Sequence, residues 1–336
     1  MKKTIAIILV LLLCCFGGLG LLGCEKKSDT GIIRLNETTH SVFYAPLYAA
    51  YNLGYFKEYG LDIEFTNGGG SDNSMTALIS GGADVALLGP ETAVYVKTQG
   101  SSNGAVIIGQ LTQRDGSFLV GRKEETNFKW SDLKNKEIIG GRKGGMPAMC
   151  LEYAINKNGL LDGKDLKINY DISFDLITSA FESGIGDYCT MFEPSASQYE
   201  KLGKGHIITS IGKETGDVAY TCFMVTQKYL NQNRETVSLF MKAVLKGINY
   251  CFTHSAEDIA EAIQPSFTTT DRELLIRSVK NYLAIDAWKA VPTMTENSFD
   301  SLQNILLTAG SIKNKVSYGK DIVDNSIVEE IIAGQL

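Results

Sequence analysis

One fifteen-residue pattern occurs twice in this chain, with four residues in common. Ala-Leu-Ile-Ser-Gly-Gly-Ala-Asp-Val-Ala-Leu-Leu-Gly-Pro-Glu, from Ala77 to Glu91, lines up without a gap on a stretch 103 residues later. The second copy, Ala180 to Pro194, reads Ala-Phe-Glu-Ser-Gly-Ile-Gly-Asp-Tyr-Cys-Thr-Met-Phe-Glu-Pro. Ala, Ser, Gly and Asp recur in register, and each copy ends on a Glu beside a Pro. In the first copy Met75 to Ser80 closes a helix, and Gly81-Gly82 supplies the permissive backbone of its C-terminal turn. Asp84 opens a short apolar strand, Val85 to Leu88, of the kind buried on both faces of a parallel sheet. Pro90 suits the first turn of the next helix. The loop between them falls at a strand's C-terminal end, where open α/β sheets bind ligands. Two ordinary αβ turns would satisfy this pattern. The sharper reading, adopted here, is two similar α/β lobes whose equivalent loops, Gly89–Glu91 and Phe192–Pro194, face each other across a cleft.

The N-terminus carries Lys2 and Lys3, an apolar run from Ile5 to Phe16, small residues, and then Leu21-Leu22-Gly23-Cys24. A basic start, an apolar middle and a cleavage site make a secretory signal over residues 1–23. Leu-Leu-Gly-Cys resembles the bacterial lipoprotein cleavage motif, in which the Cys becomes the lipid-bearing first residue. Acylation of Cys24 would hold the protein at a membrane surface outside the cytoplasm, with residues 24–30 as a polar tether. Loss of residues 1–23 removes two lysines and no acids, so 30 basic residues face 38 acidic ones. No basic block survives, which argues against a nucleic-acid partner. The remaining length exceeds one ordinary core and suits two lobes. Cys150, Cys189, Cys222 and Cys251 are widely spaced in apolar settings and read as buried free thiols.

Strands are expected at Gly31–Leu35, Ile63–Thr66, Val85–Leu88 and Ala105–Gln110, with helices over Phe43–Phe56, up to Ser80, and over Thr92–Thr98. A polar break at Gln113-Arg114-Asp115-Gly116 marks a first crossing between lobes. Strands at Ser117–Val120, Lys136–Gly140, Leu166–Tyr170, Asp187–Met191 and Ile207–Ile211 then build lobe two, with helices over Pro147–Asn158 and around Ile177–Glu182. Tyr220 to Val225 carries the chain back. Lobe one therefore comprises residues 31–114 plus 226–336, and lobe two residues 115–225. After Lys228 only helical patterns remain, including Met294–Leu306 and Ile322–Ile332, and these should cap lobe one.

Four loops precede helices: Thr38–Tyr44, Gly68–Asn73, Gly89–Thr92 and Gly140–Met146. Free backbone N–H groups at a helix start, together with the helix dipole, favour polar or anionic ligand groups. The fourth loop lacks the Gly-Lys-Ser/Thr ending of a phosphate loop, so a nucleotide site is not expected. Tyr48 and Tyr51 share a helical face with Tyr44 and read as core, while Phe43 and Tyr44 at the loop edge are placed to stack on a planar ligand. Glu91 and Glu193 each follow a buried strand; either accepts hydrogen bonds from an amino-substituted ring or caps a helix. His40, His206 and His254 form no metal pattern, and no nucleophile elbow is present, so no catalytic residue, metal or cofactor is expected.

The chain resembles the solute-binding proteins of ABC importers, and among them the NMT1/THI5-like family of thiamine-precursor, sulfonate (SsuA-like) and nitrate binders. Ser41-Val42-Phe43-Tyr44-Ala45-Pro46-Leu47-Tyr48-Ala49-Ala50, Gly54-Tyr55-Phe56, Gly60-Leu61-Asp62, Gly68-Gly69-Gly70, Ser80-Gly81-Gly82-Ala83-Asp84 and Phe192-Glu193-Pro194 carry the resemblance. It implies a periplasmic-binding-protein type II fold: two α/β lobes, two crossing segments and C-terminal helices on lobe one. It also implies a monomer that captures a small heteroaromatic or anionic nutrient and delivers it, unchanged, to permease and ATPase subunits. Its cleft residues come from the first loops, the crossing segments and the helix start of lobe two. Here these are Ser41, Phe43, Tyr44, Gly89, Pro90, Glu91, Gln113, Arg114, Lys143, Gly144, Gly145, Met146, Glu193 and Tyr220. Glu193 corresponds to the family's pyrimidine-contacting Glu, but Asn36-Glu37-Thr38-Thr39-His40 replaces the Trp and Pro-Asn of the pyrimidine binders' first loop. Alternatives on the same fold are an enzyme related to pyrimidine synthases and a sensory surface protein.

Overall fold

The structure is a computed structural model and describes residues 31–100 and 104–335. The residues read as signal peptide and tether, and Cys24 with them, lie outside the described residues. Strand β1 (Gly31–Glu37) leads through a short 3-10 turn, Val42–Tyr44, into helices α1 (Ala45–Asn52) and α2 (Tyr55–Glu58). Then come β2 (Leu61–Asn67), α3 (Ser71–Ile79), β3 (Val85–Leu88), α4 (Glu91–Thr98) and β4 (Ala105–Thr112). The single helix expected over Phe43–Phe56 is thus three pieces. Gly54 sits between the last two at φ +79°, a left-handed value that ends one helix and starts the next.

The chain then builds β5 (Phe118–Gly121), β6 (Glu137–Ile139), α5 (Met146–Lys157), β7 (Lys167–Asn169), α6 (Ile177–Glu182), β8 (Tyr188–Met191) and α7 (Ser195–Lys201). It continues as β9 (His206–Ser210), α8 (Ile211–Thr215) and β10 (Thr221–Thr226). Helices alone follow: α9 (Gln227–Gln232), α10 (Arg234–Thr253), α11 (Ala256–Ile263), α12 (Arg272–Ala284), α13 (Glu296–Thr308) and α14 (Ser326–Ile332).

Two five-stranded sheets result, ordered β2-β1-β3-β10-β4 and β7-β6-β8-β5-β9. In the first, β1 runs parallel to β2 and β3, and β10 is antiparallel to β3 and β4. In the second, β6 runs parallel to β7 and β8, and β5 is antiparallel to β8 and β9. The two plans are the same. Each sheet takes its antiparallel strand from the part of the chain that has just crossed over from the other sheet, so residues 113–117 and 216–220 are the two connections. The return expected at residue 226 falls at the last residue of β10. All six residues of that strand pair in the first sheet, so the crossing is complete at Tyr220.

The repeated pattern has a physical cause in each of its four shared residues. The Ser80 and Ser183 hydroxyls donate to the carbonyls of Ala77 (3.2 Å) and Ala180 (2.7 Å), closing the ends of α3 and α6. Gly81 (φ +78°) and Gly184 (φ +101°) take the left-handed turn that lets the next amide reach back to the same carbonyl, Gly82 to Ala77 and Ile185 to Ala180. Asp84 accepts the backbone N–H of Arg34 at 3.0 Å and Asp187 that of Glu137 at 2.9 Å, which fixes β3 beside β1 and β8 beside β6.

The C-terminal helices pack on the first sheet's layer, as α10 does on α1, where a side-chain carbon at Gly247 would stand 2.1 Å from the Pro46 carbonyl. They also reach the second layer, α12 against α7 and α13 against α5. Ile322 and Val323 are not helical. Val323 bridges Ile107 and the Ile322 carbonyl accepts the Ile107 N–H, so the last helix begins only at Ser326. Among the described residues Cys150, Cys189, Cys222 and Cys251 are buried and free. Among the described residues no helix is long and apolar enough to cross a membrane.

Candidate functional site

A cavity of about 500 Å³ opens between the two sheets. Its walls are the loops that follow the C-terminal ends of six parallel strands, as expected for open α/β sheets. Thr38 and Thr39 follow β1, residues 68–73 follow β2, and Gly89 and Glu91 follow β3. From the other sheet, residues 140–142 and 145–148 follow β6, residues 170–175 follow β7, and Phe192 follows β8. Tyr220 and Thr221 close the back where the chain returns.

Helices α3, α4 and α5 all begin at this cavity, because each strand-end loop feeds the next helix. The N-terminal ends of α3 and α4 already carry carboxylates of the protein itself, Asp72 and Glu91. Glu91 is fully buried, and neither of its oxygens has a hydrogen-bond partner. Burial pushes its carboxyl up to about 7. Its own amide, the Arg142 guanidinium and the Met146 amide pull the other way, the two N–H groups without reaching hydrogen-bond geometry. The carboxylate folds back over Gly89, where any side-chain carbon would stand 2.1 Å from Oε2. A side chain at position 89 would therefore displace the Glu91 carboxylate from this position.

Arg142 reaches across the cavity and pairs with Asp72 at 3.4 Å. A second tie between the layers is the Tyr95 hydroxyl, which donates to the Gly144 carbonyl at 2.9 Å. Tyr44, Tyr170, Phe174, Phe192 and Tyr220 give the cavity its aromatic surface. Burial raises the Tyr44 and Tyr220 phenols, so both stay protonated donors at neutral pH.

Of the residues singled out in the sequence, Tyr44, Gly89, Glu91, Gly145, Met146 and Tyr220 line this cavity. The others lie elsewhere. Phe43 is buried beneath it, ringed by Tyr44, Phe192, Tyr220 and Tyr282, and its carbonyl accepts the Trp288 indole N–H at 2.9 Å. Pro90, Lys143 and Gly144 are not part of the lining, and the exposed Lys143 ammonium sits 5.3 Å over the Tyr170 ring. Gln113 and Arg114 fasten the crossing segment outside the cavity. Arg114 donates to Asp217 (2.8 Å) and to the Ile285 carbonyl (2.9 Å), and Gln113 donates to the Asp286 carbonyl.

Ser41 and Glu193 line a separate, smaller hollow of about 120 Å³. The Ser41 hydroxyl donates to the Glu193 carbonyl at 2.6 Å. The Glu193 carboxylate is saturated: it accepts Ser197 N–H (3.0 Å) and Oγ (2.7 Å), Asn281 Nδ2 (2.5 Å) and Ser278 Oγ (3.4 Å). Of its two sequence readings, the helix cap describes its contacts. His40 is occupied as well, with Nδ1 on Glu37 at 2.9 Å and Nε2 on the Ser266 carbonyl at 2.7 Å. Its pKa is raised chiefly by the Glu37 hydrogen bond.

Sequence reasoning missed the wall from Tyr170 to Asp175. The available signal was its place after a strand in the second lobe, equivalent to the Gly68–Asn73 loop of the first. Asp72 and Arg142 lay in loops singled out for ligand contact, but their cross-cavity pairing has no sequence signal.

A family model described as NMT1/THI5 like matches residues 42–258. The Bacillus subtilis (strain 168) protein YtlA, described only as a candidate binding protein, is 40% identical over 311 residues, which is 93% of this chain and 93% of YtlA. Among solved structures, the alkanesulfonate-binding protein SsuA of Xanthomonas axonopodis pv. citri, bound to MOPS, superposes with a TM-score of 0.69 at 15% identity. That match covers 85% of this chain and 96% of SsuA. The periplasmic nitrate-binding protein NrtA of Synechocystis PCC 6803 gives a TM-score of 0.71 at 15% identity, over 90% of this chain and 89% of NrtA. At that identity the two structures speak for the fold, which is that of the type II periplasmic binding proteins.

Proposed function

Because this chain belongs to the NMT1/THI5-like family, we propose that it is the solute-binding subunit of an ABC importer. It captures a small heteroaromatic or anionic nutrient between its two lobes and hands it, chemically unchanged, to a membrane permease. The lobes are residues 31–114 with 226–336, and 115–225 with β10 reassigned to the first. The observation that carries this reading is the 500 Å³ cavity, which is built from the strand-end loops of both sheets and not from one alone. A ligand there touches both lobes at once. It therefore stabilises the closed arrangement by its differential contacts, which is the requirement for capture by closure. The two connections at 113–117 and 216–220 are the places where the backbone turns as the lobes part. Export, and acylation at Cys24, place the protein as a monomer on the outer face of the cell membrane beside its permease.

Native mass spectrometry of freshly purified protein tests capture. A small-molecule mass increment that vanishes on unfolding is expected, as is a rise in melting temperature with a small-molecule extract of the source cells. A hundredfold excess over Kd is worth about 2.7 kcal/mol. Protein that always flies bare, with a melting curve unmoved by the extract, overturns it. Anchoring is tested separately: Cys24→Ala should move the protein from the membrane fraction to the medium, and unchanged membrane association overturns the lipid assignment.

A further inference from the structure

We infer that a groove on lobe one, remote from the cavity, faces the membrane and takes the phosphate head groups of anionic lipids. This rests on the acylation proposed for Cys24 and adds which face the anchored protein turns to the bilayer. The groove measures about 480 Å³ and lies where α10 packs against α2 and α14. Lys242, Leu245, Lys246 and Asn249 line it from one face of α10, at helical spacing.

The first ground is where the tether joins. The Gly31 N–H donates to the Gly60 carbonyl at 3.1 Å, and the residue before Gly60 is Tyr59, which lines the groove. The seven residues from Cys24 to Thr30 span at most about 25 Å. A lipid on Cys24 therefore keeps this groove within reach of the bilayer surface. The cavity between the sheets lies at the other end of β1, roughly 20 Å away. Contact with lipid would leave it open.

The second ground is charge. In a chain of net charge −6 the groove is lined by Lys242, Lys246 and His254 and by no acidic residue. Lys242 has no ion pair among the described residues, and its ammonium stands 5.9 Å over the Tyr59 ring. Nearby acids are engaged: Glu58 with Lys246, Asp258 with Ser255 and Glu261 with Arg272. The third ground is the rings. Tyr55, Tyr59 and Tyr250 line the groove, half-buried, and their hydroxyls make no hydrogen bond among the described residues. An apolar ring with a free polar tip suits the head-group level of a bilayer, and lysines beside it attract lipid phosphate. Because the anchor holds the groove near the surface, a weak attraction is enough.

The test places the purified acylated protein in vesicles of phosphatidylcholine, with or without about one-third phosphatidylglycerol, and follows acetylation of each lysine by mass spectrometry. In about 0.05 M salt, Lys242 and Lys246 should react about fivefold more slowly in the anionic vesicles. The exposed Lys123 and Lys164 of lobe two should react alike in both. Protection should vanish in about 0.5 M salt. Glu58→Gln frees Lys246 and should raise the salt needed to remove protection. Equal reactivity in the two vesicles, or a Glu58→Gln protein released at the same salt as wild type, overturns the lipid contact while the anchor stands. Protection that persists in detergent micelles and deepens with protein concentration also overturns it, in favour of a second copy of the chain. If the protein does not stay with vesicles of either kind, acylation itself falls and this inference with it.

Discussion

The two copies of the repeated segment do the same work up to their last residues and then part. Through Ala, Ser, Gly and Asp, each closes a helix, turns left-handed and pins a buried strand to its parallel neighbour. At the end of the first copy stands Glu91, buried beside the large cavity with no hydrogen-bond partner. At the end of the second stands Glu193, equally buried, with four donors on its carboxylate and two of their residues, Ser278 and Asn281, on the C-terminal helix α12. One carboxylate is left without a partner. The other is consumed in joining lobe two to the helices that pack on lobe one. The same local motif thus ends in an unsatisfied carboxylate on one side and a structural joint on the other, and the difference lies in what distant chain is brought alongside.

Breaking the satisfied member should have the larger effect. Glu193→Ala strands the Ser197 amide, the Ser197 hydroxyl and the Asn281 amide in the interior, and a loss of about 4 kcal/mol is expected by chemical denaturation. A loss below about 1 kcal/mol would mean that the joint is not holding the lobes together.

Neutralising the unsatisfied member should act with the opposite sign. The Glu91 carboxyl is raised from 4.5 to about 7, so between those values the folded protein keeps a proton that the unfolded chain has released. Its contribution to stability is fully present below about 4.5, falls as pH rises, and reaches a lower plateau above about 7. At 1.36 kcal/mol per pKa unit the difference is about 3 kcal/mol. Ligand-free Glu91→Gln should therefore be more stable than wild type by up to that amount at pH 8, with the gap shrinking toward pH 5. A constant gap across the range would show that Glu91 is not buried as a charge.

Much of this was legible in the sequence, because the signals are local. Val85–Leu88 was readable to the residue from an apolar run bounded by Asp and Gly, and the helix around Ile177–Glu182 from its place before Ser183-Gly184. The first crossing was readable from Gln113-Arg114-Asp115-Gly116. Misreadings arose where distant chain decides. Phe43–Phe56 has the composition of one helix, but Gly54 interrupts it. Ile322–Ile332 has a helical stripe, yet Ile322 and Val323 are drawn into strand-like pairing with Ile107. In the cavity, the loops could be found from strand ends alone. Which Glu would be free could not, because the donors that satisfy Glu193 include residues more than eighty positions away.

The smallest effect sharpens the comparison most, since it tests the half the two copies share. Gly81 and Gly184 both hold positive φ, and a methyl group at either position would meet nothing within 4 Å. Gly81→Ala and Gly184→Ala therefore differ from wild type only in the cost of a left-handed backbone, about 1 kcal/mol each. The two sites share no partners, so the double variant should lose about 2 kcal/mol, the sum of the single changes. Both unfolding midpoints should move without a change in the denaturant slope. Costs that differ by more than about 1 kcal/mol, in the absence of any side-chain contact, would mean that one of the two turns can rearrange and the other cannot. The four shared residues would then not be doing the same job in the two lobes, and the contrast between Glu91 and Glu193 would begin at the turn and not, as argued here, after it.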